Sequence, residues 1–122
     1  MYLRDQASLG YGAGQSPVRS PRSIEFQVFA QVTSRLKKAR KSDNTADLAK
    51  AVYDNRKLWT AIAADIASPG NQLPENLKAQ IFYLAEFTFA HSAKVLRKQA
   101  PIDVLIDINR SIMSGLNGVV EA

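Results

Sequence analysis

The residues of this chain that are able to do chemistry are few and poorly accompanied. His91 is the single histidine. A histidine base needs a group that orients it, and a metal ligand needs fellow ligands within reach. One helical turn to either side of His91 stand Phe87, Thr88, Lys94 and Val95, which supply neither. It reads as a packing or boundary residue. Asp103 and Asp107 have the one-turn spacing of paired carboxylates, yet Arg110 follows one turn on, and a surface charge pair is the natural reading. No serine or threonine has a credible base partner. The chain has no cysteine, which removes disulfides, a thiolate nucleophile and a cysteine zinc site, and fits a reducing cytoplasm. Gly10, Gly12 and Gly14 invite comparison with a phosphate-cradling loop, but no β-rich run precedes them and no Lys-Ser/Thr pair closes them. The expectation is a protein that is not an enzyme, with no metal, no cofactor and no small-molecule substrate.

Charge offers a second kind of chemistry. The formal net charge is +5, and it is concentrated in the first half. Residues 1–61 hold eleven Lys/Arg against five Asp/Glu, and residues 62–122 hold five against six. The excess centres on Arg35, Lys37, Lys38, Arg40 and Lys41, candidates for contact with RNA or an anionic surface. At 100° per residue these five spread round most of a helix, whereas a phosphate-tracking stripe keeps to one side. They also fall in the last turns of a predicted helix, where cations offset the negative end of the macrodipole. The solvated helix end is the better reading.

The elements that must position these residues are all helical. A length of 122 residues suits one domain with a proper core. Residues 1–19 read as a disordered N-terminal arm, since glycines, Ser16-Pro17 and Ser20-Pro21 give punctuation without periodicity. Within it Tyr2, Leu3, Leu9 and Tyr11 are able to dock on the domain or on a partner. Residues 20–122 read as a single helical domain: a compact all-α bundle of four principal helices, at about 21–41, 45–67, 74–99 and 102–116. Pro21 suits a first helical position, Asn44 and Thr45 are good caps, Ser68-Pro69-Gly70-Asn71 stops the second helix, and Gly115 or Gly118 should end the fourth. The N-terminus shows no apolar signal region and no window reaches the ~18–20 apolar residues of a membrane span, so a soluble cytoplasmic protein with no membrane partner is expected.

Two features of these helices are unusual. Asn55 and Asn109 each sit at the centre of an apolar stripe, where an amide must be buried and hydrogen-bonded. The third helix carries one stripe of Leu77, Ile81, Leu84, Thr88, Ser92 and Val95, and a second of Phe82, Phe89 and Leu96 about 100° away. More than half of this helix is apolar. Either it is the central helix of the bundle, or Phe82, Phe89 and Leu96 line a groove for another protein.

Three runs of residues carry a family resemblance. They are Asn55-Arg56-Lys57-Leu58-Trp59, Leu73-Pro74-Glu75-Asn76-Leu77-Lys78-Ala79-Gln80-Ile81, and Ile106-Asp107-Ile108-Asn109-Arg110-Ser111-Ile112-Met113-Ser114-Gly115-Leu116. In this order and spacing, residues 55–116 resemble the FlaF family of flagellar biosynthesis regulators. The resemblance covers about half the chain closely, and the first helix only in pattern. It implies a non-enzymatic role in bacterial flagellum biogenesis and organisation: promoting flagellin synthesis and export, with flagellin as a chaperone-type partner. The family is associated with FlbT, a regulator acting on flagellin messenger RNA, so the alternative is an RNA-binding or adaptor protein acting with FlbT. The shared residues Asn55, Arg56, Leu58, Trp59, Leu73, Pro74, Leu77, Ile81, Ile108, Asn109, Ile112, Met113, Gly115 and Leu116 fall mostly on predicted core positions, and so read as structural.

Overall fold

The computed structural model describes residues 21–121, with side chains from 26 to 115. Four helices follow in order: α1 (Pro21–Lys41), α2 (Thr45–Ala67), α3 (Glu75–Leu96) and α4 (Asp103–Glu121). No strand occurs among the described residues, and no helix there is long and apolar enough to cross a membrane. The expected arm at 1–19 lies outside the described residues, and so do the side chains of Ile24 and Leu116.

The first two helices have the bounds their sequence predicts, each with a local cause. Pro21 occupies the first position of α1, and Lys38, Arg40 and Lys41 fill its last turn. Asn44 caps α2: its Oδ1 accepts from the amides of Ala46 at 2.8 Å and Asp47 at 3.3 Å. Ser68 closes α2 in an extended conformation ahead of Pro69. Asn71 then braces the connection, its Oδ1 accepting from the Leu73 amide while its carbonyl accepts from Lys78 Nζ.

The last two helices depart from expectation. α3 stops at Leu96 rather than near 99, because Lys98 adopts the left-handed conformation at φ 61°. The Gln99 amide bonds the Lys94 carbonyl at 2.8 Å and the Lys98 amide bonds the Val95 carbonyl at 3.0 Å. This pair of bonds is a Schellman ending, with lysine where glycine is usual. α4 is not ended by Gly115 or Gly118 and runs on to Glu121. No described glycine takes a positive φ, and without a left-handed residue nothing diverts the chain.

The helices form a ring in which α1 packs on α2 and α4, and α3 packs closely on α2 but sparsely on α4. Arg40, at the end of α1, pairs with Asp103, at the start of α4, at 3.1 Å, so these two helices run antiparallel. One end of the bundle therefore carries the α1–α2 and α3–α4 connections. The other carries the α2–α3 connection, the start of α1 and the end of α4. At the first end Leu36, Ala39, Ala51, Val52, Val95, Ile102, Leu105 and Ile106 make a fully buried cluster. Towards the second end Phe29, Trp59 and Ala85 are buried, but the apolar residues round them are only half covered. Among the described side chains, packing is complete at the first end and partial at the second.

Between the two clusters lies a polar layer to which every helix contributes. Thr33 of α1, Asn55 of α2, Thr88 and Ser92 of α3, and Asn109 of α4 are all at most 1% exposed. Trp59 Nε1–H donates to Asn109 Oδ1 at 3.0 Å, and Asn109 Nδ2 donates to Asn55 Oδ1 at 2.8 Å. Both asparagines are thus buried and bonded as expected, and they bond each other across the diagonal between α2 and α4. Asn55 Nδ2 and the hydroxyls of Thr33, Thr88 and Ser92 have no protein partner.

Two stability outcomes follow from this arrangement. Replacing Lys98 by glycine relieves the left-handed strain and should stabilise the fold by about 1 kcal/mol, read as a higher urea midpoint. Asn109→Leu strands both the Trp59 N–H and the Asn55 carbonyl and should cost about 2–5 kcal/mol, whereas Asn55→Leu strands one donor and should cost about 1–3 kcal/mol. Equal losses for the two variants would show that the bonds do not form a chain.

Candidate functional site

No described group of acidic, histidine or cysteine side chains is placed to hold a metal. The isolated chemical candidates resolve into structural contacts. His91 is half buried, donates through Nε2–H to the Pro101 carbonyl at 3.0 Å, and stacks on Phe87 at 5.5 Å between centroids. It braces the turn from α3 to α4. Asp103 faces Arg40 of α1, so it does not form an acid pair with Asp107.

The basic cluster is similarly divided. Arg35 pairs with Asp54 of α2 at 3.6 Å and Arg40 with Asp103 of α4, tying α1 to both of its neighbours. Lys37 is half buried, and Lys38 and Lys41 are exposed. Exposed pairs such as these contribute about 0–1 kcal/mol each, but they do turn the two arginines inward onto carboxylates rather than outward onto phosphate.

The apolar surface is the remaining candidate, and α3 supplies most of it. Its buried centre is made of small residues, Ala85, Thr88, Ser92 and Val95, so the large side chains stand on its two flanks. Phe82 lines a shallow depression with Ile66, Ala67 and Pro69 at the end of α2, which places the Phe82–Phe89–Leu96 flank on the α2 side. This stripe does not behave as a unit. Phe82 is 40% and Leu96 41% exposed, but Phe89 is half buried and packs on the Phe29–Trp59–Ala85 cluster.

The opposite flank faces α4. Leu84 and Phe87 lie about 160° and 140° round the helix from Phe82, and His91 on the same flank reaches the turn into α4. On α4, Ile108 and Ile112 lie about 140° and 180° from Asp103, which faces α1. The seam between α3 and α4 is therefore lined by Leu84 and Phe87 on one side and Ile108 and Ile112 on the other. Because α3 and α4 pack sparsely, Leu84, Ile108 and Ile112 are only half buried and Phe87 is 38% exposed. Leu77, one turn before Ile81 towards the second end, is 37% exposed despite its place on the main stripe.

Gly115 extends the α4 side of this seam, one turn beyond Ile112 and exposed. A Cβ built on it meets nothing within 4 Å. A helix-interior glycine costs about 0.5–1 kcal/mol relative to alanine, and among the described residues neither a turn nor close packing offsets that.

The family-motif residues thus divide by depth. Asn55, Trp59 and Asn109 are fully buried; Leu58, Leu73, Ile81, Ile108, Ile112 and Met113 are half buried; Arg56, Pro74, Leu77 and Gly115 are exposed. The side chain of Leu116 lies outside those described. The sequence reading missed Leu84, Phe87, Ile108 and Ile112 as a shared surface. The signal present was the second apolar flank at Leu84, Phe87 and His91.

Fold and site together define a small four-helix-bundle protein with a half-open apolar seam. The sequence model of the flagellar protein FlaF family matches residues 7–116. The chain belongs to that family. No curated protein and no solved structure matches it.

The two flanks of α3 predict opposite behaviour. Phe89→Glu forces a carboxylate into the Trp59 cluster and should cost more than about 2 kcal/mol. Phe87→Glu places the charge at a solvent-facing edge and gives up the stack on His91, so it should cost no more than about 1.5 kcal/mol. Thermal melts of the two variants side by side distinguish them.

Proposed function

We propose that this FlaF-family protein is a non-enzymatic, cytoplasmic flagellin-binding factor that promotes flagellin synthesis and export in the manner of a chaperone. Family membership places it in flagellar biology, and the half-open seam between α3 and α4 is the observation that carries the rest. Filament subunits carry amphipathic helices that remain soluble before assembly only while their apolar faces are covered. A seam with apolar walls between two sparsely packed helices suits a third helix laid along it. The partner's apolar face covers Leu84, Phe87, Ile108 and Ile112, and the bundle supplies shape without chemistry.

The alternative reading, action on flagellin messenger RNA with FlbT, would draw on Lys38 and Lys41, which are exposed. Its support is weaker, because Arg35 and Arg40 of the same cluster are engaged with carboxylates.

Co-purification with flagellin, with and without nuclease, tests the two readings together. Phe87→Glu should lose flagellin tenfold or more while remaining folded, since burying an unpaired charge in an interface is expensive. Lys38→Glu combined with Lys41→Glu should change only the salt-sensitive on-rate. Nuclease-sensitive association lost in the lysine variant alone would favour RNA.

A further inference from the structure

We propose that the polar layer at the middle of the bundle is a binding site for one ordered water molecule, held between the side-chain amide of Asn55 on α2 and the hydroxyls of Thr88 and Ser92 on α3. The inference stands apart from the flagellin-binding reading.

Depth is the first observation. Asn55, Thr88 and Ser92 are each 0% exposed, and Asn55 Nδ2, Thr88 Oγ1 and Ser92 Oγ have no protein partner. Buried polar groups are satisfied almost without exception, by protein or by ordered water, because burial without a partner is costly.

Height is the second. Asn55 lies twelve residues before the end of α2, and Thr88 thirteen residues after the start of α3. The two helices share one short connection and pack closely, so at about 1.5 Å per residue these positions stand within about 2 Å of one level. Ser92 follows Thr88 by one turn on the same buried stripe, and level with it on α2 is Ala51, also buried. Facing side chains there are both small, and a water needs such room together with two to four polar partners. The Asn55–Asn109 pair spans the diagonal between α2 and α4, so Thr33 of α1 lies on its other side.

Bonding capacity is the third. Thr60, on the outer face of α2, turns its hydroxyl back onto the Arg56 carbonyl at 2.8 Å. Thr88 and Ser92 make no such bond, although the carbonyls of Leu84 and Thr88 stand one turn behind them. Asn55 Oδ1 is already engaged by Asn109, which leaves its amide hydrogens for the site. The water accepts from Asn55 Nδ2–H and donates one O–H to Thr88 Oγ1 and the other to Ser92 Oγ. About three bonds is the usual number for a buried water. The five buried polar residues of the layer are all uncharged, which suits water rather than an ion.

This water is the polar tie that seats α3. Arg35 and Arg40 tie α1 to α2 and α4, and the asparagine pair ties α2 to α4. Among the described residues α3 makes no side-chain hydrogen bond or ion pair to another helix; the bonds of Lys78 and His91 reach only the flanking connections.

Oxygen-17 relaxation dispersion of the full-length protein counts long-lived internal waters, and hydroxyl protons cannot relay it. Thr88→Val with Ser92→Ala removes both α3 partners with little change of volume. The double variant should stay folded and lose the dispersion amplitude of one water. In nitrogen-15-labelled parent protein, water should show a direct NOE to the Asn55 side-chain amide protons, and the folded double variant should lack it. An unchanged amplitude in the folded variant, or no such NOE in the parent, overturns the proposal. A water NOE confined to Thr33 also overturns it, placing the water on the α1 side. If the double variant does not fold, the NOE at Asn55 of the parent decides alone.

Discussion

The rest of this bundle depends on a hydrogen bond whose direction has no alternative. The Trp59 indole N–H only donates, so Asn109 must turn its carbonyl to it and its amide to Asn55. That chain of constraint crosses between α2 and α4, which are otherwise not in direct backbone contact. Sliding α4 by one turn would bring Leu105 or Met113 opposite the indole and leave its N–H bare in the core. A single register of the diagonal pair survives, and α1 and α3 pack round it. The unpartnered groups of the same layer show that this specification comes at some expense of stability, the usual balance for buried polar groups that fix an arrangement.

Because register is settled in the polar layer, the two apolar clusters on either side are free to differ. The cluster beside the α3–α4 turn is complete and buried. The one beyond it is built from larger side chains, Phe29, Trp59, Ile81, Leu84, Ile108 and Met113 among them, and leaves several half covered. α3 contributes to the difference through its own composition. Small residues at its centre bring it close to α2, and its bulk is displaced to the flanks. The sparse α3–α4 seam is the geometric result.

Much of the architecture was legible because its determinants are local. An asparagine cap at 44 and the Ser68-Pro69 stop bound α2 to the residue, and asparagines interrupting apolar stripes announce burial. The misplaced helix ends have a common cause: they turn on backbone angles that residue type does not disclose. Lys98 takes a left-handed conformation that glycine normally signals, while Gly115 and Gly118 sit in a helix they were expected to end. Thr33 escaped notice because a threonine beside an apolar stripe looks like its polar edge. The seam was the least legible feature. Periodicity identifies which face of a helix is apolar, but not which neighbour covers it, and Phe82, Phe89 and Leu96 were grouped by spacing although the bundle covers only the middle one. Leu84 and Ile112, read as core, do pack on the Phe29–Trp59–Ala85 cluster but stay half buried.

The unequal filling of the two clusters also sets how the molecule breathes. Backbone amides exchange with solvent through openings whose free energy tracks how much apolar surface each opening exposes. Around Leu36, Val52 and Leu105 almost nothing can separate without exposing the whole buried cluster, so those amides should exchange only through global unfolding. Around Ile81 and Ile112 much of that surface already meets water, and the first turns of α3 and the stretch of α4 round Ile112 can part at far smaller expense. The polar layer is the boundary between these regimes. The bundle thus has a rigid half that keeps its topology and a compliant half that adjusts its width, so a ligand entering the seam need not disturb the register that defines the fold.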